Sequence, residues 1–233
     1  DFLYSGTKNS QLNFRNYGGT GCAGYKPPNN SSLVTAVNLW ISNNSLALTT
    51  YGPINTWCTE NVTDMSNLFQ NKTTFNDSIS NWKTQNVTDM SFMFSNATAY
   101  DQDMSTSGNA WNVSSVTNMR NMFAEATSFD GDITDWIASS ATNMRDMFRD
   151  ASSFNQNIGF WSTGTVTNMI SMFENADSFN KNIAFWNTSA VTAMDSMFRN
   201  NSAFNQNLSG WNVNNVLTFP LFDQNTPQWT LAK

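Results

Sequence analysis

The feature that most constrains the fold of this chain is an internal repeat with a period of about 25 residues. The segment "VTNMISMFENADSFNKNIAFW" begins at Val166, and "VTAMDSMFRNNSAFNQNLSGW" begins one period later at Val191. Aligned on the first methionine, the copies give one column of structural core residues: Met65, Met90, Met119, Met144, Met169 and Met194. Successive members are one period apart, except for the longer interval from Met90 to Met119. Such a period predicts units that stack on one another.

A tryptophan closes each unit and forms a second predicted core column. Its members are Trp82, Trp111, Trp136, Trp161, Trp186 and Trp211. The apolar side chains of one unit yield about 10–20 kcal/mol when they are buried, and ordering its backbone costs at least as much. A single unit therefore cannot fold alone, and the methionines are predicted to fill a core rather than to bind a metal.

The spacing within a unit predicts a class of fold. Met, Met, Phe and Ala fall at i, i+3, i+4 and i+7, which is one face of a short helix. The Thr two residues before the first Met is a suitable N-cap. In segments such as "SFNQNI" the Phe and Ile fit either a strand or a turn, and a strand is favoured because Asn-rich segments break helices and stacked coils need a ladder to pair. The predicted class is an α/β repeat solenoid, in which each coil has a short strand plus a short helix or 3-10 turn and the ends are capped.

Degraded copies at both ends predict the domain organisation. Residues 1–33 are interpreted as an N-terminal cap or arm, and 34–215 as the repeat solenoid, with a degenerate first copy at 34–57 and main repeats at 62–211. Residues 216–233 are interpreted as a C-terminal degenerate repeat and cap. There Phe219 and Phe222 replace the two methionines, and Asp223 falls where a core Phe belongs. A charge in a core column indicates the end of a stack.

Polar positions are also in phase between the repeats. Arg149, Glu174 and Arg199 share one position, which predicts alternating charges on neighbouring coils. Asn155 shares its position with two further asparagines, which predicts an amide ladder.

Composition argues against several classes of function. A formal charge of −6 disfavours a nucleic-acid partner, and no apolar run reaches the roughly 20 residues of a membrane helix. The chain has no His, which removes His general bases and His metal sites. The pairs Asp101/Asp103 and Asp130/Asp132 are interpreted as solvated turn carboxylates rather than as catalytic or calcium ligands. We therefore expect no enzyme activity, no catalytic or metal residue and no cofactor.

The unit V-T-x-M-x-x-M-F-x-x-A-x-x-F-N-Q-x-I-x-x-W resembles the short surface repeat, of about the same period, found in BspA-like leucine-rich-repeat proteins, including mycoplasma lipoproteins. The resemblance covers about Val62 to Trp211. It implies a leucine-rich-repeat-like solenoid on a cell surface or in a secreted protein, often credited with adhesion, and it implies no catalytic residue.

Cysteines and sequons fit an exported protein. Cys22 and Cys58 most simply form one disulfide, and the alternative is a pair of unrelated buried thiols. Candidate N-glycosylation sites, which would be used in a eukaryotic secretory route or by a virus with its own glycosylation, are Asn61, Asn71, Asn86, Asn96, Asn112, Asn187, Asn200 and Asn207.

The sequence thus predicts a non-enzymatic extracellular, cell-surface or virion-surface protein. We expect it to be a scaffold for adhesion or for a larger surface assembly, such as an appendage, a coat or a virion exterior. Its expected partners are other surface proteins, glycans or copies of itself, with no nucleic acid and no membrane-spanning segment. The alternative is a carbohydrate-binding module or a polysaccharide-active enzyme that uses clustered carboxylates.

Overall fold

The computed structural model describes residues 22–106 and 111–226. Its helices precede the repeats: α1 spans Asn30–Ser42, α2 spans Asn44–Tyr51, and a 3-10 helix spans Ile54–Thr56. Both α-helices begin after an asparagine whose side chain caps the first turn. The Asn29 side chain accepts from the Ser32 N–H at 2.9 Å, and the Asn43 side chain accepts from the Leu46 N–H at 3.1 Å.

Helix α1 covers the apolar side of the first repeat. It buries Leu33, Ala36, Val37 and Trp40 in the common core. The Trp40 indole N–H donates to Asp77 Oδ2 at 2.8 Å. The segment 34–57, predicted to be a degenerate first copy of the repeat, therefore consists largely of helices.

After the 3-10 helix, the backbone is built from turns, and the prediction of an α/β solenoid is wrong. The described part of 58–226 contains neither an α-helix nor a strand. Neighbouring repeats are joined by isolated parallel bridges instead, from Asp64 with Asp89 at the first pair to Ala193 with Thr218 at the last. The predicted strand of each unit is an irregular segment, and the predicted helix is a series of turns.

Left-handed residues explain why the helix does not form. Each repeat has two, located two and six residues after the first residue of the methionine column, such as Asn67 and Asn71, both at φ 60°. The full set is Asn67, Asn71, Phe92, Asn96, Asn121, Glu125, Asp146, Asp150, Ser171, Asn175, Ser196, Asn200, Leu221 and Asn225. An α-helix needs φ near −60° at every residue. A positive φ at the third residue is instead typical of a type II turn.

The turns direct backbone N–H groups alternately in two directions. The Met93 N–H donates within its own turn to the Met90 carbonyl at 3.2 Å, whereas the Phe94 N–H donates to the Met122 carbonyl of the next repeat at 2.8 Å. This alternation continues through the segment and recurs from repeat to repeat. The turns of each repeat therefore present a row of donors to the repeat that follows and a row of acceptors to the repeat before. The residue that precedes the turns bonds in the opposite sense, as from the Thr88 N–H to the Thr63 carbonyl at 2.8 Å.

The core consists of columns of side chains in register. Phe123 and Phe148 stack at 5.6 Å between ring centroids with their planes 3° apart, and Phe129 and Phe154 stack at 6.0 Å. Within one repeat, Phe123 lies 4.0 Å from Phe129. Every residue of the first methionine column is buried. The apolar side chains thus occupy a single core, although the backbone around them is not the predicted one.

The tryptophan column is buried along its whole length. The rings of Trp136 and Trp161 stack at 5.8 Å with their planes 11° apart, and Trp57 stacks on Trp82 at 6.1 Å. Across the long interval between repeats, the Trp111 indole N–H still reaches the Ile79 carbonyl at 2.9 Å. Residues 107–110, within the insertion, lie outside the described residues.

Candidate functional surfaces

A column of Asn and Asp side chains joins the backbones of successive repeats. Asp101 Oδ1 accepts from the Asp130 N–H at 2.9 Å, and Asp130 Oδ1 accepts from the Asn155 N–H at 2.8 Å. Asn155 Oδ1 accepts from the Asn180 N–H at 3.1 Å, and Asn180 Oδ1 accepts from the Asn205 N–H at 3.0 Å. The predicted ladder exists, but it joins side-chain oxygens to backbone N–H groups rather than amide to amide. An Asp suits it as well as an Asn, because both supply Oδ1.

The second carboxylate of each acidic pair is also a hydrogen-bond acceptor in this region. Asp103 Oδ1 accepts from the Asp132 N–H at 2.9 Å, and Asp132 Oδ1 accepts from the Thr134 N–H at 2.9 Å. Between Asp130 and Asp132 the chain needs a glycine, because a Cβ at Gly131 would be 2.2 Å from the Gln102 carbonyl oxygen. In residues 22–106 and 111–226, no three Asp, Glu, Cys or His side chains are grouped as metal ligands would be. The four carboxylates therefore have a structural use that accounts for their positions.

A second amide ladder, which was not predicted from the sequence, lies along the left-handed residues. Asn96 Nδ2 donates to Asn71 Oδ1 at 2.9 Å, and Asn200 Nδ2 donates to Asn175 Oδ1 at 2.9 Å. Asn175 in turn donates to Asp150 Oδ1 at 2.6 Å. The signal was the recurrence of Asn or Asp six residues after the first methionine.

Three of the candidate glycosylation sites, Asn71, Asn96 and Asn200, belong to this second ladder. Asn71 is exposed, and the other two are partly buried. The remaining five candidates are all exposed: Asn61, Asn86, Asn112, Asn187 and Asn207. Their glycosylation stays a prediction.

Ion pairs connect neighbouring repeats, although not in one continuous alternation. Arg199 Nη1 lies 3.2 Å from Glu174 Oε1, as the phase of these residues predicts. Arg149 Nη2 instead lies 2.7 Å from Glu125 Oε1, and its Nη1 is bonded to Asp150. Burial works to lower the pKa of Arg149, but the hydrogen bond to Glu125 and the nearby carboxylates outweigh it and raise that pKa. These partly exposed pairs contribute little stability and favour the correct register.

One exposed face carries a column of threonines. The Thr88 hydroxyl donates to the Thr63 carbonyl at 3.3 Å, and the Thr192 hydroxyl donates to the Thr167 carbonyl at 3.1 Å. Other members bond in the same way, and all six are exposed. The interpretation of these residues as helix N-caps is wrong, because no helix follows them. Their hydroxyl groups are instead held in one orientation along the stack.

Large apolar side chains are exposed in three places. The first group lies on the two α-helices and comprises Val34, Leu46 and Leu48. The second lies beside the tryptophan column and comprises Ile137, Phe160 and Phe185. The third lies in the last described repeat and comprises Val213, Leu217, Phe219 and Leu221. Exposed groups of this kind are typical of interaction surfaces.

The two cysteines form the disulfide Cys22–Cys58, with 5.6 Å between their Cα atoms. The Cys58 N–H donates to the Tyr25 carbonyl at 2.7 Å. Gly24 is required beside the bridge, because a Cβ there would lie 1.8 Å from the Thr56 carbonyl oxygen. The bridge therefore ties the segment that precedes α1 to the start of the repeats.

Stacked repeats built from turns, closed at one end by a helical cap, define this chain as a repeat protein. It matches the family described as "Mycoplasma protein of unknown function, DUF285" over residues 40–161 and 131–226, and it belongs to that family. The membership confirms the predicted resemblance at the level of the family, whereas the structure does not support the leucine-rich-repeat part of it. No curated protein and no solved structure matches the chain significantly. Among the described helices, none is both long and apolar enough to cross a membrane.

Proposed function

We propose that this chain is a non-enzymatic protein of the cell exterior, whose stacked repeats form a rigid scaffold for adhesion or for building a larger surface assembly. The observation that carries the proposal is the register of the stack. Each repeat is joined to the next by backbone hydrogen bonds such as Phe148 N–H to Met172 O, at 3.0 Å, and by stacked rings such as Phe148 on Phe173, at 5.7 Å. The exposed polar groups are consequently repeated at regular intervals along a rigid backbone.

A regularly repeated surface is suited to binding a partner through many weak contacts at once. The exposed threonines and the Asn and Asp ladders present the same groups on successive repeats. When several equivalent contacts form on one rigid body, the later ones are effectively intramolecular and raise the overall affinity. A rigid stack supports this use because little conformational entropy is lost when it binds.

A location outside the cell is supported by the disulfide and by the family. Disulfides persist in oxidising compartments and are rare in the cytosol. The bridge between Cys22 and Cys58 is therefore in keeping with an exported protein. The family supports this location through the resemblance of the repeat to the surface repeat of BspA-like proteins, although its description, which names mycoplasma proteins, assigns them no function.

Glycan binding is a second candidate function, and one observation favours it. Phe160 and Phe185 occupy the same position of adjacent repeats, directly before the tryptophan, and their side chains are 80% and 77% exposed. Exposed aromatic rings beside amide and hydroxyl groups suit the apolar faces and hydroxyls of a sugar. Neighbouring residues that supply such polar groups are Ser162 and Asn187, both exposed.

The experiment measures binding and turnover together. Beads coated with the chain are tested against panels of surface glycoproteins and polysaccharides, and release of reducing ends is followed in the same samples. Saturable binding without release supports the scaffold. Loss of binding in the double variant Phe160→Ser with Phe185→Ser assigns the contact to glycan recognition, and loss in Thr142→Lys with Thr167→Lys assigns it to the threonine face.

Turnover would overturn the proposal. Reducing ends released by the chain, and no longer released after Asp130→Asn with Asp132→Asn, would establish a polysaccharide-active enzyme. Location is tested separately, by adding protease to intact cells that express the protein. Complete protection of the chain until the cells are lysed would contradict a place on the exterior.

A further inference from the structure

The last described repeat has a row of backbone donors that nothing in the described residues accepts. In the repeat before it, the Met194 N–H donates to the Thr218 carbonyl at 2.9 Å and the Ser196 N–H donates to the Pro220 carbonyl at 2.9 Å. The corresponding N–H groups one repeat later belong to Phe219, Leu221, Asp223 and Asn225, and among the described residues they have no acceptor. We call residues 217–225 the forward edge.

The forward edge is also apolar and open. Phe219 occupies the position of the methionine column, yet it is 65% exposed, whereas Met194 in the preceding repeat is 2% exposed. Leu217, at a position where the other repeats carry exposed threonine, is 80% exposed. An open pocket here is lined in part by Met194, Val213 and Phe219. In every earlier repeat this surface is buried against the next repeat. In the last described repeat the equivalent surface is exposed.

The opposite end of the stack has the matching acceptors. In the second repeat, the Asp89 carbonyl accepts from the Met65 N–H at 2.9 Å and the Ser91 carbonyl accepts from the Asn67 N–H at 2.9 Å. The corresponding carbonyl groups of the first repeat belong to Asp64, Ser66, Leu68 and Gln70, and among the described residues they accept no hydrogen bond. We call residues 64–71 the backward edge.

The cap leaves part of the backward edge open. Helix α1 covers the apolar side of the first repeat, and its Asn30 Oδ1 accepts from the Thr63 N–H at 3.1 Å and from the Asp64 N–H at 3.4 Å. The side chains of Asp64, Asn67 and Asn71 remain exposed. The cap itself exposes Val34 and Leu46, so apolar side chains are present at this end of the chain too. The two ends are therefore complementary. One end has unpaired backbone N–H groups beside exposed apolar side chains, and the other has unpaired backbone carbonyls beside exposed apolar side chains.

We propose that the forward edge of one copy binds the backward edge of a second copy, so that the chain associates head to tail. The contact would continue the row of backbone hydrogen bonds that joins each repeat to the next within the chain, whereas the stacked core would end at helix α1, which covers the apolar side of the first repeat. Two forward edges cannot replace it, because each would bring N–H groups against N–H groups and leave the donors unpaired. A contact between two different surfaces does not close on itself unless a rotation forms a ring, and it therefore produces open chains of molecules. This inference rests on the proposed scaffold function and names its partner.

The test uses the full 233-residue chain and two variants that each block one edge. Leu217→Asp places a charge in the apolar part of the forward edge, and Ser66→Arg with Gln70→Arg places bulky cations on the backward edge. Phe160→Asp is the matched control, since Phe160 and Leu217 are both 80% exposed. Near-UV circular dichroism, which reports the stacked tryptophans, verifies that every variant is folded.

Sedimentation velocity gives the outcome. The wild-type chain and Phe160→Asp are expected to form a series of species that grows with concentration, and each blocked variant alone is expected to be a monomer. An equimolar mixture of the two blocked variants is expected to form dimers and nothing larger, because each variant retains one functional edge. Only a head-to-tail contact predicts that each blocked variant is a monomer by itself and that the mixture of the two forms dimers.

Other results would overturn the inference. A wild-type chain that is monomeric at about 1 mM has no such contact. Dimers formed by the backward-blocked variant alone would mean that forward edges pair with each other, and loss of association in Phe160→Asp would place the contact elsewhere. If the wild-type chain remains a monomer but still adheres to coated surfaces, the inference fails while the scaffold proposal stands.

Discussion

The indole N–H of Trp161 donates to the carbonyl oxygen of Ile133 in the preceding repeat, at 3.1 Å. The same bond joins the other tryptophans of the column to the repeat before them, at distances from 2.7 to 3.1 Å. Each tryptophan of the column is therefore buried in the core with its polar group satisfied, which a buried indole requires. One residue type thereby contributes both cohesion and register to the stack.

Trp161→Phe is expected to destabilise the chain by about 1–3 kcal/mol. The change removes one of the two hydrogen bonds that the Ile133 carbonyl accepts, and it leaves space where the larger ring was. Urea unfolding followed by circular dichroism measures the difference. Phe160→Ser, in the adjacent exposed position, is the control and is expected to change stability by less than about 0.5 kcal/mol. Equal effects of the two changes would contradict a role for the indole bond.

Asp130→Asn is expected to leave stability within about 0.5 kcal/mol of the wild type. The asparagine keeps an oxygen for the Asn155 N–H, and Asn155 itself supplies that oxygen at the same position of the next repeat. Asp130→Ala removes the acceptor and is expected to cost about 1 kcal/mol. The same urea measurement separates the two variants. If Asn proved as damaging as Ala, the negative charge of Asp130 would matter and its use as a ladder acceptor would be an insufficient account.

Tyr100→Phe is expected to stabilise the chain by about 1 kcal/mol at neutral pH. Tyr100 is the one tyrosine in a column of phenylalanines, and its buried hydroxyl has no hydrogen-bond partner among the described residues. Burying an unpaired hydroxyl costs free energy that the phenylalanine avoids. Thermal and urea unfolding at neutral pH test the expectation, and a less stable variant would show that the hydroxyl is hydrogen-bonded.

Alkaline pH gives an independent test of the same residue. Burial, and then the nearby Asp101 and Asp103, raise the pKa of Tyr100 well above its ordinary value. The unfolded chain therefore releases this proton at a lower pH than the folded chain, so that stability falls as the pH rises above about 10. Tyr100→Phe lacks this contribution, and its advantage over the wild type is expected to widen between neutral pH and pH values above 10. A constant difference across that range would mean that the hydroxyl ionises equally well in both states.

Ser196→Asn is expected to raise stability by about 1 kcal/mol at most. Ser196 has a positive φ of 55°, and Asn121 occupies the same position of an earlier repeat, also at φ 55°. Asn tolerates the left-handed region better than most residues. Ser196→Val is the counterpart and is expected to destabilise the chain, since a branched Cβ is strained there. Urea midpoints of the two variants give the result, and the reverse order would be incompatible with a left-handed residue at this position.

The spacing of apolar residues was insufficient to predict the backbone conformation of the repeats. Met194, Met197 and Phe198 lie at i, i+3 and i+4, as on one face of a helix, and all three are buried. A series of turns with a left-handed residue at Ser196 and Asn200 brings the same side chains to one side. The asparagines at such positions were visible in the sequence, and they favoured turns over a helix.

The sequence by itself determined the period of the repeat and the side chains that share a column, because an apolar residue that recurs once in every repeat must be buried against its own copies. It also determined that Cys22 and Cys58 were available to pair. The tertiary structure decided where the backbone N–H groups go, since a bond such as Phe94 N–H to Met122 O joins residues that are distant along the chain and depends on the whole stack. For the same reason, the structure alone revealed that the turns at one edge of the stack present donors and the turns at the other edge present acceptors.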